Sequence, residues 1–288
     1  MEDIVKLTAD QIPKTLLEIP QPPKQLFMRG ELPDPGLTYL AVVGSRNFTH
    51  YGKDACEKLI KGLKGYPIVI VSGLALGIDT IAHRAALSAG LITIAMPGSG
   101  LDNSALYPKT NVKLAQEIVD AGGCLLSEMK PDEKSLLYSF PQRNRLMAGL
   151  CKATLVIEAA EKSGTLITAR MALDYNRDVL VVPGSINSDT SKGTNNLLRL
   201  GATPITTSEE LLDALGFQVE KKQQSEKERY ADCGKDEMKI INLLREEPLP
   251  RDELIRASGF DTGTANALIS IMEIKELIKE EYGEIRKI

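Results

Sequence analysis

Small residues follow several apolar runs of this 288-residue chain, and at these points the residue types could bind an anion. Glycines and hydroxyl side chains at the start of a helix expose backbone N–H groups, which favour ligands such as phosphate. A second interpretation stays open, in which the glycines only permit tight turns between a strand and a helix. The candidate phosphate contacts in the first two turns are Gly44, Ser45 and Arg46, then Ser72, Gly73 and Gly77; residues 97–100 form a third turn.

Arg46 narrows the class of phosphate ligand. A dinucleotide-binding turn has the pattern G-x-G-x-x-G after the first strand, but here Arg46 stands at the second glycine position. The chain has no G-x-x-x-x-G-K-[ST] sequence, which excludes the P-loop NTPase class. We therefore interpret Arg46 as a cation that pairs with phosphate, the alternative being a salt bridge at the rim of a sheet.

Aromatic and basic residues come together in the sequence YSFPQRNR at 138–145. Pro141 suits the first position of a helix, which Ser139 or its neighbour could cap. The cations would then lie near the helix start, where the helix dipole disfavours them, so their presence indicates a bound anion. Phe140 could stack on a base, as in proteins that hold single strands without reading sequence, or act as a hydrophobic staple. This stretch supplies four candidate DNA contacts: Phe140, Arg143, Asn144 and Arg145.

Two later turns also carry hydroxyl groups and cations after apolar runs. Hydroxyls at a helix start can cap the helix and can equally donate to a phosphate. The candidate contacts in these turns are Ser163, Gly164, Thr165 and Arg170, followed by Lys192 and Asn195.

Apolar runs alternate with helical periodicity across residues 38–217. Continuous apolar strands are typical of parallel strands that are covered on both faces. The sequence predicts an α/β fold, a Rossmann-like doubly wound and mostly parallel sheet, with the small-residue turns at the carboxyl ends of its strands. Strands are expected at 39–43, 68–71, 91–96, 124–126, 154–157, 179–182 and 202–205, and helices at 53–64, 78–89, 111–121, 142–150 and 166–175.

The flanking segments differ in composition. Residues 1–37 contain six prolines and are interpreted as a reduced N-terminal extension, with a short element and a wrapping segment. Residues 218–234 are charged and polar, which is typical of a linker. The pattern of three helices and a hairpin predicts a small winged-helix domain at 235–288. This domain has nine Lys and Arg against twelve Asp and Glu, and its third helix lacks a cation, which disfavours DNA groove binding.

Composition sets further expectations. The net charge of −4 requires that any DNA site be a local basic patch. The four cysteines lack a C-x-x-C pattern, so we expect reduced, mostly buried thiols and no metal site. Neither a leader pattern nor an apolar run of about 20 residues is present, which predicts a cytoplasmic protein that is not bound to a membrane.

In their order along the chain, these motifs resemble the DprA/Smf family of DNA-processing proteins. The resemblance covers residues 38–216 and rests on SGLALGID at 72–79, MPGSGLDNSALYP at 96–108, FPQRNR at 140–145 and SKGTNNLLRLGA at 191–202. It implies a recombination mediator without enzymatic activity or cofactor. Such proteins bind and protect single-stranded DNA, load RecA recombinase on it in DNA uptake and natural transformation, and form homodimers through the Rossmann-like domain. By this resemblance the DNA-contacting positions include Arg46, Phe140, Arg143, Ser163, Gly164 and Asn195.

Two other classes of function stay open. The first is a nucleotide-processing enzyme of the phosphoribohydrolase type, in which Glu128 or Glu158 would act as acid or base. The chain lacks the P-G-G-x-G-T sequence and following glutamate that such enzymes carry. The second is a transcriptional regulator that uses the winged helix, which the cation-free third helix disfavours. His83 is interpreted as a core or capping histidine.

Overall fold

The computed structural model describes residues 3–218, 230, 233–245, 247–281 and 283–287. The chain divides into two compact units, residues 1–219 and 220–288. Most of the segment interpreted as a linker, 218–234, lies outside the described residues.

The first unit is built on one sheet whose described strands follow the order β1-β2-β6-β5-β4-β3-β7-β8-β9. All neighbours from β6 to β9 are parallel, whereas β1 and β2 are antiparallel to their neighbours. The predicted Rossmann-like, mostly parallel sheet is confirmed. The strands are β1 (Val5–Lys6), β2 (Phe27–Gly30), β3 (Thr38–Val43), β4 (Ile68–Ser72), β5 (Thr93–Ala95), β6 (Cys124–Ser127), β7 (Ala153–Val156), β8 (Asp178–Val181) and β9 (Thr203–Pro204).

Helices cover both faces of this sheet. Leu40 and Val42 of β3 pack into the apolar cluster of α2, α3 and α8, while Ala41 and Val43 pack into the cluster of α5 and α6. Both faces of β3 are thus apolar, which explains its continuous apolar run. The helices are α1 (Lys14–Leu17), α2 (His50–Lys61), α3 (Ile78–Ala89), α4 (Val112–Asp120), α5 (Ser139–Leu150), α6 (Thr165–Asp174), α7 (Lys192–Arg199) and α8 (Ser208–Ala214), with single 3-10 turns at Lys109–Asn111 and Asp189–Ser191.

The N-terminal segment adds two strands to the sheet, and the sequence did not predict them. β2 pairs with β6, with Met28 opposite Leu126. Arg29 of this strand is only 4% exposed, and its guanidinium donates to Asn103 Oδ1 at 2.7 Å and to Gln116 Oε1. A buried arginine inside a proline-rich segment interrupts the apolar pattern that marks the other strands.

The second unit has the element order of a winged helix, as predicted. Its helices are α9 (Lys235–Leu243), α10 (Arg251–Ser258) and α11 (Thr262–Ile274), and its strands are β10 (Leu249–Pro250), β11 (Ile278–Glu281) and β12 (Glu284–Lys287), in the order β10-β12-β11. Gly283 forms the turn between the last two strands at a φ of 81°. Ile240, Leu254 and Ile269 are fully buried in its core.

The thiols agree with the expectation from sequence. Cys56, Cys124 and Cys151 are buried, Cys233 is partly exposed, and none of these four described cysteines is in a disulfide. Burial raises the pKa of Cys124 to about 12. In the part of the chain that the structure describes, no helix is long and apolar enough to cross a membrane.

Candidate nucleic-acid interface

A cleft of about 440 Å³ opens at the carboxyl ends of β3 and β7. These two strands are neighbours in the sheet. After β3 the chain adds strands toward one edge of the sheet, and after β7 it adds strands toward the other edge. Open α/β sheets bind ligands at the point between two such strands. We call it the Arg46 cleft. It brings together nine of the predicted site residues: Gly44, Ser45, Arg46, Phe140, Arg143, Asn144, Ser163, Gly164 and Thr165.

Arg46 and Phe140 meet in this cleft. The Arg46 side chain is exposed, and its Cζ lies 5.4 Å from the centroid of the Phe140 ring. Tyr107 contacts the same ring at a centroid distance of 5.9 Å. A Cβ at Gly98 would lie 2.7 Å from the Phe140 ring, so the glycine leaves room for it. The cleft therefore offers a cation and a positioned aromatic ring together, which suits the backbone and bases of a single strand.

The turn after β4 holds Arg46 in place. Gly77 has a φ of 83°, and a Cβ there would lie 2.6 Å from the Arg46 Cα. The N–H of Ile78 donates to the Ser45 carbonyl oxygen at 3.1 Å. Glycine at position 77 thus permits two neighbouring turns to pack against each other.

The same turn carries its own anion. The N–H of Gly73 donates to Asp79 Oδ2 at 3.1 Å, and that of Ala75 donates to the same oxygen at 3.4 Å. The Ser72 hydroxyl is fully buried and donates to the Val42 carbonyl oxygen at 2.7 Å. Ser72, Gly73 and Gly77 are buried. A carboxylate of the protein thus occupies the N–H groups of Gly73 and Ala75, and the DNA contacts predicted for Ser72, Gly73 and Gly77 stay predictions.

Arg143 lines the Arg46 cleft, but its guanidinium is bound by the backbone, so its predicted phosphate contact stays a prediction. Only 7% of Arg143 is exposed, and its guanidinium donates to the carbonyl oxygens of Gly73 and Met96. Burial lowers its pKa to about 10; the carboxylate of Asp79 opposes this shift and the positive charge of Arg46 contributes to it, and Arg143 stays protonated at neutral pH. Burial also raises the pKa of Asp79, which Arg143 opposes. Arg143 joins α5 to the ends of β4 and β5.

The start of α5 differs from the prediction. The helix begins at Ser139 rather than Pro141, and among the described residues no side chain caps it. The Ser139 hydroxyl instead lies 2.5 Å from the carbonyl oxygen of Gly98. The third glycine turn is buried, and the N–H of Gly100 donates to the Glu133 carbonyl oxygen at 2.7 Å. Residues 97–100 therefore position α5 and do not form the anion site that their glycines suggested.

Four other predicted contacts lie outside the Arg46 cleft. Arg145 forms two 2.6 Å hydrogen bonds with the Glu128 carboxylate, because residues 143 and 145 point about 200° apart on a helix. Lys192 Nζ pairs with Asp189 at 2.7 Å. The Asn195 amide binds the backbone N–H and carbonyl of Gly184 at 3.3 and 3.0 Å. Arg170 is exposed on α6.

The start of α6 forms the opposite wall of the Arg46 cleft. The Thr165 hydroxyl donates to the Gly44 carbonyl oxygen at 3.0 Å, and the Thr165 N–H donates to Ser163 Oγ at 3.2 Å. Gly164 is exposed, and no described atom lies within 4 Å of the space its Cβ would fill. The partial positive charge of a helix N-terminus therefore faces an open cleft, which favours an anion.

The titratable groups considered for catalysis have structural partners. Glu158 is 2% exposed and accepts hydrogen bonds from the N–H and hydroxyl of Thr49, at 2.9 and 2.5 Å, and from the Thr190 hydroxyl at 3.2 Å. His83 is fully buried, with Nδ1 2.7 Å from Thr93 Oγ1, and burial lowers its pKa to about 3. It is a core histidine, one of the two roles expected. In the described ranges, no group of three or more His, Cys, Asp or Glu residues could hold a metal ion.

Sequence reasoning missed two residues of the site. Asp79 lies in the first turn of α3, where a carboxylate can satisfy preceding backbone N–H groups, and this position was the available signal. Tyr107 lies in a loop 33 residues before Phe140, and no local pattern links the two.

Comparisons with known proteins give the family of this chain. Residues 3–216 match the family described as DNA recombination-mediator protein A, and residues 224–284 match the DprA winged helix domain. The DNA processing protein DprA of Streptococcus pneumoniae is 44% identical over 208 residues, which is 72% of each chain. Protein Smf of Escherichia coli is 40% identical over 74% of this chain, but the match spans only 57% of that relative.

Two of the solved structures that resemble this chain are DNA processing proteins. The structure of DprA from Streptococcus pneumoniae has a TM-score of 0.69 and 40% identity, and it covers 75% of this chain and 76% of that one. DNA processing protein A from Helicobacter pylori, whose structure concerns a single-stranded DNA binding mode, has a TM-score of 0.66 and 34% identity over 75% of this chain and 98% of that one. The chain therefore belongs to the DNA recombination-mediator protein A family.

Proposed function

We propose that this chain binds single-stranded DNA in the Arg46 cleft and loads RecA recombinase on the bound strand. The observation that carries the proposal is the pairing of the exposed Arg46 guanidinium with the Phe140 ring at 5.4 Å in this cleft. The cation suits a phosphate and the ring suits a base, so neither contact needs a particular sequence. The single-stranded DNA binding mode described for the Helicobacter pylori relative supports the choice of ligand.

Three parts of the cleft have different tasks in this proposal. Arg46 neutralises a phosphate, Phe140 stacks on a base, and Asn144 donates a hydrogen bond from the same helix. The remaining proposed contacts are backbone and hydroxyl groups at the two turns: Gly44, Ser45, Ser163, Gly164 and Thr165. The local arginine provides the basic patch that an acidic chain needs.

An Arg46→Ala substitution tests the site. Affinity for single strands should fall for all sequences, and the slope of log K against log salt should decrease by about 0.7 for the lost phosphate contact. The matched control is Arg84→Ala, because Arg84 is exposed on α3 and is not among the residues that line the cleft. Fluorescence anisotropy across a salt titration, with single-stranded and duplex oligonucleotides, measures both quantities. Unchanged affinity of Arg46→Ala at moderate salt would show that the strand binds elsewhere.

The proposal includes no catalytic step. Glu128 is bound by Arg145, and Glu158 is bound by Thr49 and Thr190, so both carboxylates have structural partners that compete with an acid or base role. Incubation with nucleoside monophosphates should release no free base. Release that disappears in Glu158→Gln, with the fold retained, would favour the phosphoribohydrolase class instead.

The winged helix has a minor part in DNA binding in this proposal. α11 contains no Lys or Arg, and Arg251 at the start of α10 is paired with Glu273 and Glu280 at 3.1 and 2.9 Å. Deletion of residues 219–288 should therefore leave most of the single-strand affinity intact. Collapse of binding in a folded 1–218 chain would assign the DNA site to the winged helix.

RecA loading and self-association are further parts of the proposal, and the family supports them. On single-stranded DNA coated with single-strand-binding protein, the chain should shorten the lag before RecA hydrolyses ATP. Sedimentation should detect a homodimer through the Rossmann-like unit, as the resemblance implies, and the protein should be found in the cytoplasm. Absence of any effect on the RecA lag would limit the function to DNA binding.

A further inference from the structure

Helix α5 separates two clefts. Phe140, Asn144 and Met147 recur at helical spacing and line the Arg46 cleft, whereas Ser139, Gln142 and Arg145 line a second cleft. The second cleft has a volume of about 780 Å³, and residues 21–25 of the N-terminal segment form its other wall. We call it the Tyr138 cleft, after the exposed tyrosine just before α5.

The charges that line the Tyr138 cleft are balanced. Lys24 and Arg145 are the cations, and Glu128 and Glu133 are the anions. The Arg145 guanidinium is fixed on Glu128 by two 2.6 Å hydrogen bonds. A phosphate would thus meet carboxylates as well as cations, so the lining does not favour an anion.

The other lining groups suit a flat, uncharged ligand with polar edges. Gln21 and Gln142 are exposed, and each amide offers both donors and an acceptor. Tyr138 is 57% exposed, so a face of its ring is open to a stacking partner. An aromatic platform beside amide groups is the environment that holds an unstacked nucleobase.

Exposed apolar side chains lie just before α5, the helix that separates the two clefts. Leu136, Leu137 and Tyr138 are 48%, 91% and 57% exposed, and Ser139 separates them from Phe140 in the chain. A helix with its side chains is about 10–12 Å wide, and a stacked strand advances about 3.4 Å per nucleotide, so about three nucleotides would cross from one cleft to the other. Large apolar side chains that are exposed next to one another in the chain are candidates for contact with a ligand.

We propose that the Tyr138 cleft is a second nucleotide subsite, which takes a base of the same single strand whose backbone lies in the Arg46 cleft. This inference rests on the proposed function. Tyr138 stacks on the base, Gln21 and Gln142 bind its polar edges, and Leu137 packs against the strand as it crosses α5. The Arg46 cleft supplies the phosphate contact, and the Tyr138 cleft supplies a base contact without added charge.

Substitutions at Tyr138 test the subsite. In Tyr138→Leu, affinity for a 12-nucleotide single strand should fall about 5- to 10-fold with an unchanged salt slope, because a stacking contact is lost and no charge is removed. Tyr138→Phe keeps the ring and should stay within about twofold of the wild type. The matched control is Tyr51→Leu, because Tyr51 is similarly exposed, at 53%, but lines a different cleft. Unchanged thermal unfolding of the full chain would show that each variant is folded.

Abasic oligonucleotides give an independent measurement. In the wild type, removal of the base that enters the Tyr138 cleft should weaken binding about as much as Tyr138→Leu does. In Tyr138→Leu, the same abasic position should cost nothing further, because the two changes remove one contact. Additive losses at every position of the strand would overturn the subsite.

The outcomes separate the subsite from the proposed function. Weaker binding by Arg46→Ala together with wild-type binding by Tyr138→Leu would overturn the subsite and leave the proposed function in place. Weaker binding by Tyr138→Leu with no effect of Arg46→Ala would overturn the proposed site and, with it, the two-cleft arrangement. An equal loss in Tyr51→Leu would also overturn the subsite, because the effect would not be specific to the Tyr138 cleft.

Discussion

The turns after β3 and β4 both contain small residues and lie side by side, but they differ in what occupies their backbone N–H groups. The turn at Gly44 presents its backbone and Arg46 to the cleft. The turn at Gly73 is filled by the carboxylate of Asp79, six residues further along the chain. Small residues at a strand end therefore predict exposed N–H groups only where no nearby carboxylate satisfies them.

Among the substitutions that test this comparison, removal of the Asp79 carboxylate should give the largest loss of stability. Asp79→Ala takes away the acceptor for the N–H groups of Gly73 and Ala75, at about 1–3 kcal/mol for each donor left unsatisfied, and removes the carboxylate charge that favours protonated Arg143; the free energy of unfolding should fall by about 3–5 kcal/mol. Urea unfolding followed by far-ultraviolet circular dichroism measures this change. The control is Asp174→Ala at an exposed position of α6, which should stay within about 0.5 kcal/mol. A loss of stability below about 1 kcal/mol for Asp79→Ala would contradict the structural role of the Asp79 carboxylate.

A methyl group between the two turns should have the next largest effect. Gly77→Ala forces a side chain into a φ of 83° and against Arg46, so we expect a loss of about 3 kcal/mol in stability and weaker single-strand binding. Gly65→Ala is the matched control, because Gly65 has a φ of 86° but no described atom within 4 Å of the added Cβ. It should lose about 1 kcal/mol and bind DNA normally. Equal behaviour of the two variants would show that the turns do not support each other.

His83 is buried beside the turn at Gly73, and its protonation makes the free energy of unfolding depend on pH. Its pKa is about 3 in the folded chain and has an ordinary value of 6.5, so the unfolded chain binds the extra proton between these values. Stability from this group is complete above pH 6.5 and is lost as pH falls, by about 2 kcal/mol at pH 5. His83→Gln should show a correspondingly smaller loss between pH 7 and pH 5 in urea titrations.

The other histidine supplies the control for this pH effect. His50→Gln changes an exposed residue at the start of α2 and measures how far replacement of a histidine by glutamine alters the urea titrations by itself. If His83→Gln lost as much stability as the wild type between pH 7 and pH 5, another group would be responsible.

A substitution that affects the Gly44 turn, after β3, should give the smallest loss of stability. Thr165→Val removes the hydroxyl that donates to Gly44, which should cost about 1 kcal/mol of stability and weaken DNA binding a few-fold. Thr165→Ser restores the donor and should recover both properties. If Thr165→Val kept wild-type stability and DNA binding without the hydroxyl, the hydrogen bond from Thr165 to Gly44 would not position the turn.

The sheet could be predicted from sequence because its central strands are apolar on both faces. The predicted strand 68–71 corresponds to Ile68–Ser72, and the predicted helix 78–89 to Ile78–Ala89. β2 could not be predicted in the same way, because Arg29 is buried with polar partners from residues 103 and 116, far away in sequence. Long-range polar partners leave no periodic signal in the strand itself.

The candidate site was predictable in its position but only partly in its contacts. Arg46 and Phe140 lie together in the predicted location at the ends of the strands. The contacts of Arg143 and Arg145 were not predictable, because the start of α5 decides which residues face inward, and Ser139 anchors that start on Gly98. The sequence showed basic residues, but only the helix register shows that one is buried and another is paired with Glu128.

The backbone hydrogen bonds of Arg143 have a consequence for the rate of the proposed DNA binding and for the entropy that it costs. One guanidinium fastens α5 to the ends of two strands, and Phe140 is carried on the same helical turn. In the proposed complex, the Phe140 ring would therefore be held in place before a strand arrives, and little side-chain entropy would be lost when the complex forms. On that proposal, a strand would bind this surface without first waiting for it to rearrange.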